Sequence, residues 1–326
     1  MVSAVLAFSR SSLILLLLML TGIAPGMAQS WPSKPVRIIV PYVPGGPTDA
    51  LTRLVQPRLS ELLGQPVIIE NKPGAGGNIG LDAMAKSEPD GYALVMVVQS
   101  NVVLGPLVNK NLPFDIDRDL TPVAILSEAP TLYATGMSTP VTDMRGLIAL
   151  AKAKPGQLFY ATNGNGSSQH INVARLQKQA GVRMADIAYK GDGAALLALA
   201  AGDIQLHAGT ANSYIALAKA GKIRVLGVAS DKRSKVFPDV PTMAEQGIPF
   251  RHGSWFGYMT RKGVPADITA RLNREFNRIT RMQDVQAQII ALGMEPVQIT
   301  PKEMGDFIAA ELTTWTPVVR ELGLTN

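Results

Sequence analysis

The sequence predicts an α/β protein of two lobes, each a mainly parallel sheet with helices on its faces. Three observations carry this. Short apolar runs alternate with segments of helical periodicity in two successive series. Three strand-to-helix joints are rich in glycine. At 326 residues the chain is too long for one small core, and its glycine and proline are spread without low complexity.

The first joint, residues 37–49, reads RIIVPYVPGGPTD. Val36, Ile38, Ile39 and Val40 form a β-branched run, as in a strand buried on both faces, and Pro44-Gly45-Gly46 stops it. Pro47 suits a first helical position, with Thr48 and Asp49 in the first turn. Such a joint offers unpaired backbone N–H groups and a positive dipole end, which suit an anion such as a small carboxylate. Taken alone it is an ordinary strand-to-helix connection. Residues 71–80 (NKPGAGGNIG) follow a strand at 67–70, and residues 162–170 (TNGNGSSQH) follow one at 158–161. Three such joints suggest a shared ligand.

Residues 50–63 carry Leu51, Leu54, Val55, Leu59, Leu62 and Leu63 at helical spacing, with a kink expected at Pro57 and a stop at Gly64. A short helix at 81–86 and a strand at 92–98 follow, the latter delivering Gln99-Ser100-Asn101 to the same sheet edge. Open α/β sheets bind ligands at the carboxyl ends of their strands. Strands near 123–126 and 131–134 read as the passage to a second lobe, with the boundary near Ser127. There the pattern repeats: helices at 143–153, 169–180 and 194–201, strands at 158–161, 185–188, 204–208 and 223–229. A strand at 255–260 and helices at 265–280 and 301–311 are expected to return to lobe one. The expected division is therefore lobe one over 29–126 and 253–326, and lobe two over 127–252. Two connections permit hinge closure over a ligand.

Residues 13–23 are apolar, follow Arg10, and precede the small residues Gly26-Met27-Ala28, so residues 1–28 read as a cleaved secretory signal and the mature protein as periplasmic. The chain lacks cysteine, which removes a disulfide framework and a lipoprotein anchor. Its formal charge of +6 is scattered among acids, which argues against nucleic acid as a partner.

Catalytic chemistry is thin. His170, His207 and His252 are the only histidines, and none stands in a metal-binding motif, so no metal is expected. No nucleophile elbow or phosphate-binding loop occurs, and Ile79 stands where a dinucleotide fingerprint needs its third glycine, so no cofactor is expected. Asp49 is read either as a first-turn carboxylate that favours the helix dipole or as a ligand contact. Lys190 either faces solvent or reaches a ligand carboxylate, and His170 either bonds its own turn or donates to the ligand. Tyr42 and Trp255 read as core residues, although Tyr42 also stands where it can cover a ligand.

Seven motifs together resemble the Bug-type periplasmic solute receptors of tripartite tricarboxylate transporters. They are WPSKPVRIIVPYVPGGPTD followed by Arg53, LGQPVIIENKPGAGGNIG at 63–80, PDGY at 89–92, NGNGSSQH at 163–170, AYKG at 188–191, AGKIRVLGVAS at 220–230 and FPDVPTMAEQG at 237–247. The resemblance covers nearly the whole mature chain. It implies a two-lobed periplasmic binding protein fold of type II, no catalysis, one small organic carboxylate in the cleft between lobes, and delivery to membrane permease subunits by a monomer. By position, lobe-one contacts fall on Tyr42, Gly45, Gly46, Asp49, Ala75, Gly76, Asn78 and Ser100. Lobe two contributes Gly166, Ser167, Ser168, His170 and Lys190, with Thr210 after the strand at 204–208.

One departure matters, because many relatives carry an acid after that strand where this chain has Gly209-Thr210. An α-ammonium group buried there lacks a counter-charge, so a di- or tricarboxylate, or an aromatic acid under Tyr42, is expected in preference to an amino acid. An exported hydrolase or lyase using Asp49 and His170 is the alternative from another class. A sensory receptor for the same ligands is a third reading.

Overall fold

Both faces of the first strand are apolar, and both are covered. In β1 (Val36–Val40), Ile38 packs into one core cluster and Ile39 into another, as the two-residue period of a strand requires. The computed structural model describes residues 31–321 and 323, apart from 163, 165, 166, 190 and 250. The expected signal segment, Gly166 and Lys190 therefore lie outside the described residues.

Helix α1 (Pro47–Leu63) lays Leu51, Val55 and Leu59 on the Ile38 face, runs through Pro57 as one helix, and ends on left-handed Gly64. Strand β2 (Val67–Asn71) pairs parallel with one side of β1 and β3 (Ala93–Val98) with the other. Between them α2 (Asn78–Ala85) begins three residues earlier than the periodicity suggests, its first turn being the polar end of the glycine segment. Two single turns, Gly105–Val108 and Ile116–Asp119, lead into β4 (Leu120–Pro130), longer than the sequence pattern implied.

The second β/α series begins at β5 (Leu132–Gly136). It continues through α3 (Met144–Ala153), β6 (Phe159–Thr162), α4 (Ser168–Ala180), β7 (Ala185–Ala188) and α5 (Asp192–Ala201). Strand β8 (His207–Gly209), α6 (Ala211–Lys219) and β9 (Ile223–Val228) complete it. Strands β8, β5 and β9 form one ladder and the parallel pair β6 and β7 another, joined through a bridge between Tyr160 and Leu206. Helices cover both sides: Leu147 and Leu176 pack with Tyr133, whereas Leu199 and Tyr214 pack with Leu132.

The chain then returns. Strand β10 (Gly253–Arg261) inserts antiparallel between β4 and β3, and α7 (Ala266–Ile279), α8 (Gln283–Ala291), β11 (Glu295–Pro296) and α9 (Pro301–Glu321) follow. The six-stranded sheet thus has the order β11-β4-β10-β3-β1-β2. At the crossover the Thr131 N–H donates to the His252 carbonyl and the His252 N–H to the Ala229 carbonyl, each at 2.9 Å. Helix α9 also reaches across: Trp315 is fully buried, and the Arg175 guanidinium of α4 lies 5.0 Å from its ring centre. Among the described residues no helix is long and apolar enough to cross a membrane.

Candidate ligand-binding site

The first lobe-one turn is braced by Asp49. Its side chain is buried in the first turn of α1, where Oδ2 accepts from the Gly45 N–H at 2.9 Å and from Arg53 Nε at 2.8 Å. Oδ1 accepts from Asn71 Nδ2 at 3.0 Å, and the same amide donates to the Tyr42 carbonyl at 3.1 Å. The Arg53 hydrogen bond, with help from Gly45 and Asn71, holds the carboxyl down at about 2. Asp49 is therefore ionised and ties the Gly45 turn to the end of β2. Gly46 caps the helix with extended backbone and no side-chain bond, which leaves the helix start without a side-chain acceptor.

In the second turn the backbone is left-handed at Gly74, Ala75, Gly76 and Gly77 in succession. A Cβ on residue 77 would stand 3.1 Å from Asn101 Nδ2 and 3.2 Å from the Tyr42 hydroxyl, so this position takes glycine for its φ of +100° and for its neighbours alike. Ala75 and Gly76 are exposed, and Asn78 opens α2.

The third turn closes the group. The Tyr42 hydroxyl approaches the Gly76 carbonyl at 3.5 Å and shares a hydrogen bond with the Ser100 side chain, while burial raises its pKa. Asn101 is 1% exposed. Its Oδ1 accepts from the Val98 N–H at 3.0 Å, and its Nδ2 has no hydrogen-bond partner among the described residues. An orphaned buried donor of this kind asks for an acceptor. The structure thus brings Tyr42, Gly76 and Ser100 together around Asn101, a residue the sequence placed at this sheet edge but not among the candidate contacts. The signal for Asn101 was weak: an amide one residue after a polar turn residue.

In the second β/α series, Ser167 caps α4 by accepting from the His170 N–H at 3.3 Å, which places Ser168 and His170 in that helix's first turn. Thr210 is the exposed cap residue of α6, with its hydroxyl 3.5 Å from Ser213 Oγ. Gly209 has a steric reason: a Cβ there would stand 3.0 Å from the Tyr214 hydroxyl and 2.9 Å from the His207 ring. The sequence reading also passed over Asp192, at the start of α5. Its carboxylate lies 3.3 Å from Gln169 Nε2, 3.5 Å from Ser213 Oγ and 3.8 Å from His207 Nε2. Those three neighbours come from different turns, and no local pattern joins them. Among the described residues no group of three His, Cys, Asp or Glu side chains gathers as a metal site.

A cavity at the crossover is lined by Glu128, Ala229, Arg251, His252, Trp255 and Glu311. Burial, with the Arg175 charge second, holds the His252 imidazole down to about 3.

The chain is similar along most of its length to known receptors. Residues 51–324 match the model of the tripartite tricarboxylate transporter family receptor. Protein BugT of Bordetella pertussis is 37% identical over 302 residues, covering 92% of this chain and 93% of that protein. A TctC solute-binding protein from Polaromonas superposes with a TM-score of 0.82 at 28% identity, covering 90% of this chain and all (100%) of the other. A Rhodopseudomonas palustris protein solved with malate gives 0.69 at 30% identity, covering 89% and 100%, and an R. palustris protein solved with adipate gives 0.73 at 32%, covering 90% and 98%. The Polaromonas protein is a solute-binding protein, and BugD, a periplasmic binding protein, superposes with a TM-score of 0.69 at 26% identity, covering 90% of this chain and 99% of the other. The family's members bind substrates rather than transform them, and the two-lobed α/β fold is theirs. The chain belongs to the tripartite tricarboxylate transporter receptor family.

Proposed function

We propose that this protein is an exported periplasmic receptor that encloses a small organic carboxylate between its lobes and delivers it to the membrane permease subunits of a tripartite tricarboxylate-type transporter. It works as a monomer, after removal of residues 1–28 as a signal. The observation that carries this reading is the buried Asn101 Nδ2, which has no hydrogen-bond partner among the described residues, at the meeting of three turns. Around it Tyr42 and Ser100 offer hydroxyls, and the Gly45, Gly46, Ala75, Gly76 and Asn78 segments offer backbone N–H groups. A carboxylate supplies acceptors to such donors without needing a positive side chain. Asp49 serves by holding Gly45 in place. Lobe two, residues 127–252, adds Gly166, Ser167, Ser168, His170, Lys190 and Thr210, while residues 29–126 and 253–326 form lobe one. The relatives solved with adipate and malate support the ligand class.

A thermal-shift panel of small organic carboxylates, followed by product analysis, tests the proposal. A true ligand at a hundred times its Kd raises stability by about 3 kcal/mol and is recovered unchanged. Chemical turnover of a bound compound, or no stabilisation by any carboxylate, would overturn it.

A further inference from the structure

Strand β3 ends in a wide turn. Ser100–Leu104 wind as a single π-type turn, in which the Gly105 N–H donates to the Ser100 carbonyl five positions back. Such turns are rare and often stand at functional sites. This one carries Ser100 and Asn101, two groups of the proposed carboxylate site, while Val102, Val103 and Leu104 are buried in the core behind it.

The start of the turn is held from the far end of the chain. Gln99 is 3% exposed and leads directly into Ser100, and its side-chain amide donates to Glu311 Oε2 of α9, 212 positions on. The same oxygen accepts from Trp315 Nε1 at 3.3 Å, one helical turn further along α9. Trp315 is itself fixed: fully buried, it stands edge-on to His252 at 4.9 Å between ring centres and 5.0 Å from the Arg175 guanidinium. Burial pushes the Glu311 carboxyl up, against the Gln99 and Trp315 hydrogen bonds and the Arg175 and Arg251 charges. One half-buried carboxyl group thus meets the first residue of the β3 turn, an indole, and the charges of α4 and the crossover.

Asn101 Nδ2 has no hydrogen-bond partner among the described residues, so this donor is kept in place by other bonds than its own. Asn101 is located by its Oδ1, which accepts from the Val98 N–H at 3.0 Å, and by the backbone beside it. Gln99 stands between Val98 and Ser100, so the Glu311 contact fixes the backbone on which that geometry depends. A misplacement of about 1 Å in a binding constellation can cost roughly a hundredfold. We infer that Glu311 is a positioning residue of the carboxylate site: through the Gln99 amide it holds the turn that presents Ser100 and Asn101, without touching the ligand itself. The part played at the site rests on the receptor reading, whereas the hold on the turn does not.

Native-state hydrogen exchange on the full mature protein without ligand, read at residues 100–104 with β1 as reference, tests the hold. Glu311→Leu should speed exchange in the turn about tenfold or more with β1 unchanged. Glu311→Gln keeps an acceptor oxygen and should restore most of the protection. Gln99→Leu removes the same contact from its other end, so the double variant Gln99→Leu/Glu311→Leu should behave as either single variant and not as their sum. Calorimetry with malate and adipate then reads the site: an acid that binds the wild type should lose about tenfold in affinity in Glu311→Leu and regain it in Glu311→Gln. Unchanged exchange in both single variants, additive effects in the double variant, or unaltered affinity beside a loosened turn overturns the assignment. Should Glu311→Leu fail to fold, Gln99→Leu and Glu311→Gln decide by the same readings. If neither acid binds, the ligand class is at fault and not Glu311, whose hold on the turn the exchange rates still settle.

Discussion

The side-chain amide of Asn101 lies 3.1 Å from the point where a side chain on residue 77 would begin. Gly77 thereby leaves room for the buried donor, and its left-handed backbone brings the second turn against the third.

Replacing Gly77 by alanine is expected to displace Asn101 and the Tyr42 hydroxyl together. The strain of a positive φ costs about 1–3 kcal/mol, and ligand affinity should fall about tenfold or more because the donor set is disturbed. Gly156→Ala is the control, since its φ of +74° is equally unfavourable to alanine but nothing stands within 4 Å of the added Cβ. Denaturant titration and calorimetry on both variants separate the effects. Equal loss of affinity in the two would show that Gly77 matters only through backbone strain.

The crossover residue His252 should make stability fall as pH is lowered. In the folded protein burial keeps the imidazole neutral down to about 3, whereas the unfolded chain takes up the proton near pH ~6.5. The unfolded state therefore binds more protons between those values, and stability declines through that window while staying flat above it. The full effect is on the order of several kcal/mol. Carboxylates such as Asp49, held at about 2, join only below pH ~4. His252→Phe keeps a ring against Trp315, which it meets edge-on at 4.9 Å between centres. Urea unfolding of this variant between pH ~6.5 and ~5 should lack the slope of the wild type. A parallel slope in both proteins would remove His252 as its source.

Ligand binding should draw the lobes together by hinge motion at the crossovers near Ser127 and His252, because the proposed contacts, Tyr42 and Ser100 on one side and Ser167 and His170 on the other, follow strands of separate sheets. Small-angle scattering at saturating ligand is expected to show a smaller radius of gyration. An unchanged radius at saturating ligand would contradict closure.

The turns that build the candidate site were legible in the residues. Pro44-Gly45-Gly46, Gly74 to Gly80 and Ser167-Ser168 mark strand-to-helix turns because glycine, proline and hydroxyl caps act on the few residues beside them. Tyr42, Gly76 and Ser100 were expected at one place, and the structure brings them there. The role of Asp49 was open between turn bracing and ligand contact. Its bonds to Gly45, Arg53 and Asn71 show the bracing, and Asn71 lies twenty-two positions away.

The sequence by itself determined the alternation of strands and helices, the two β/α series, and the family to which the motifs point. Each depends on periodicity and turn chemistry within a short window. Only the tertiary structure decided that β10 inserts between β3 and β4, that α8 and β11 extend lobe one, and that α9 reaches across to Arg175. It alone set Asn101 beside Gly77 and Asp192 beside His207 and Ser213. Those relations join residues distant in sequence through the packing of sheets and the closeness of turn tips. No local pattern encodes such a contact, because the free energy that fixes it comes from burial of the two lobes' cores as wholes.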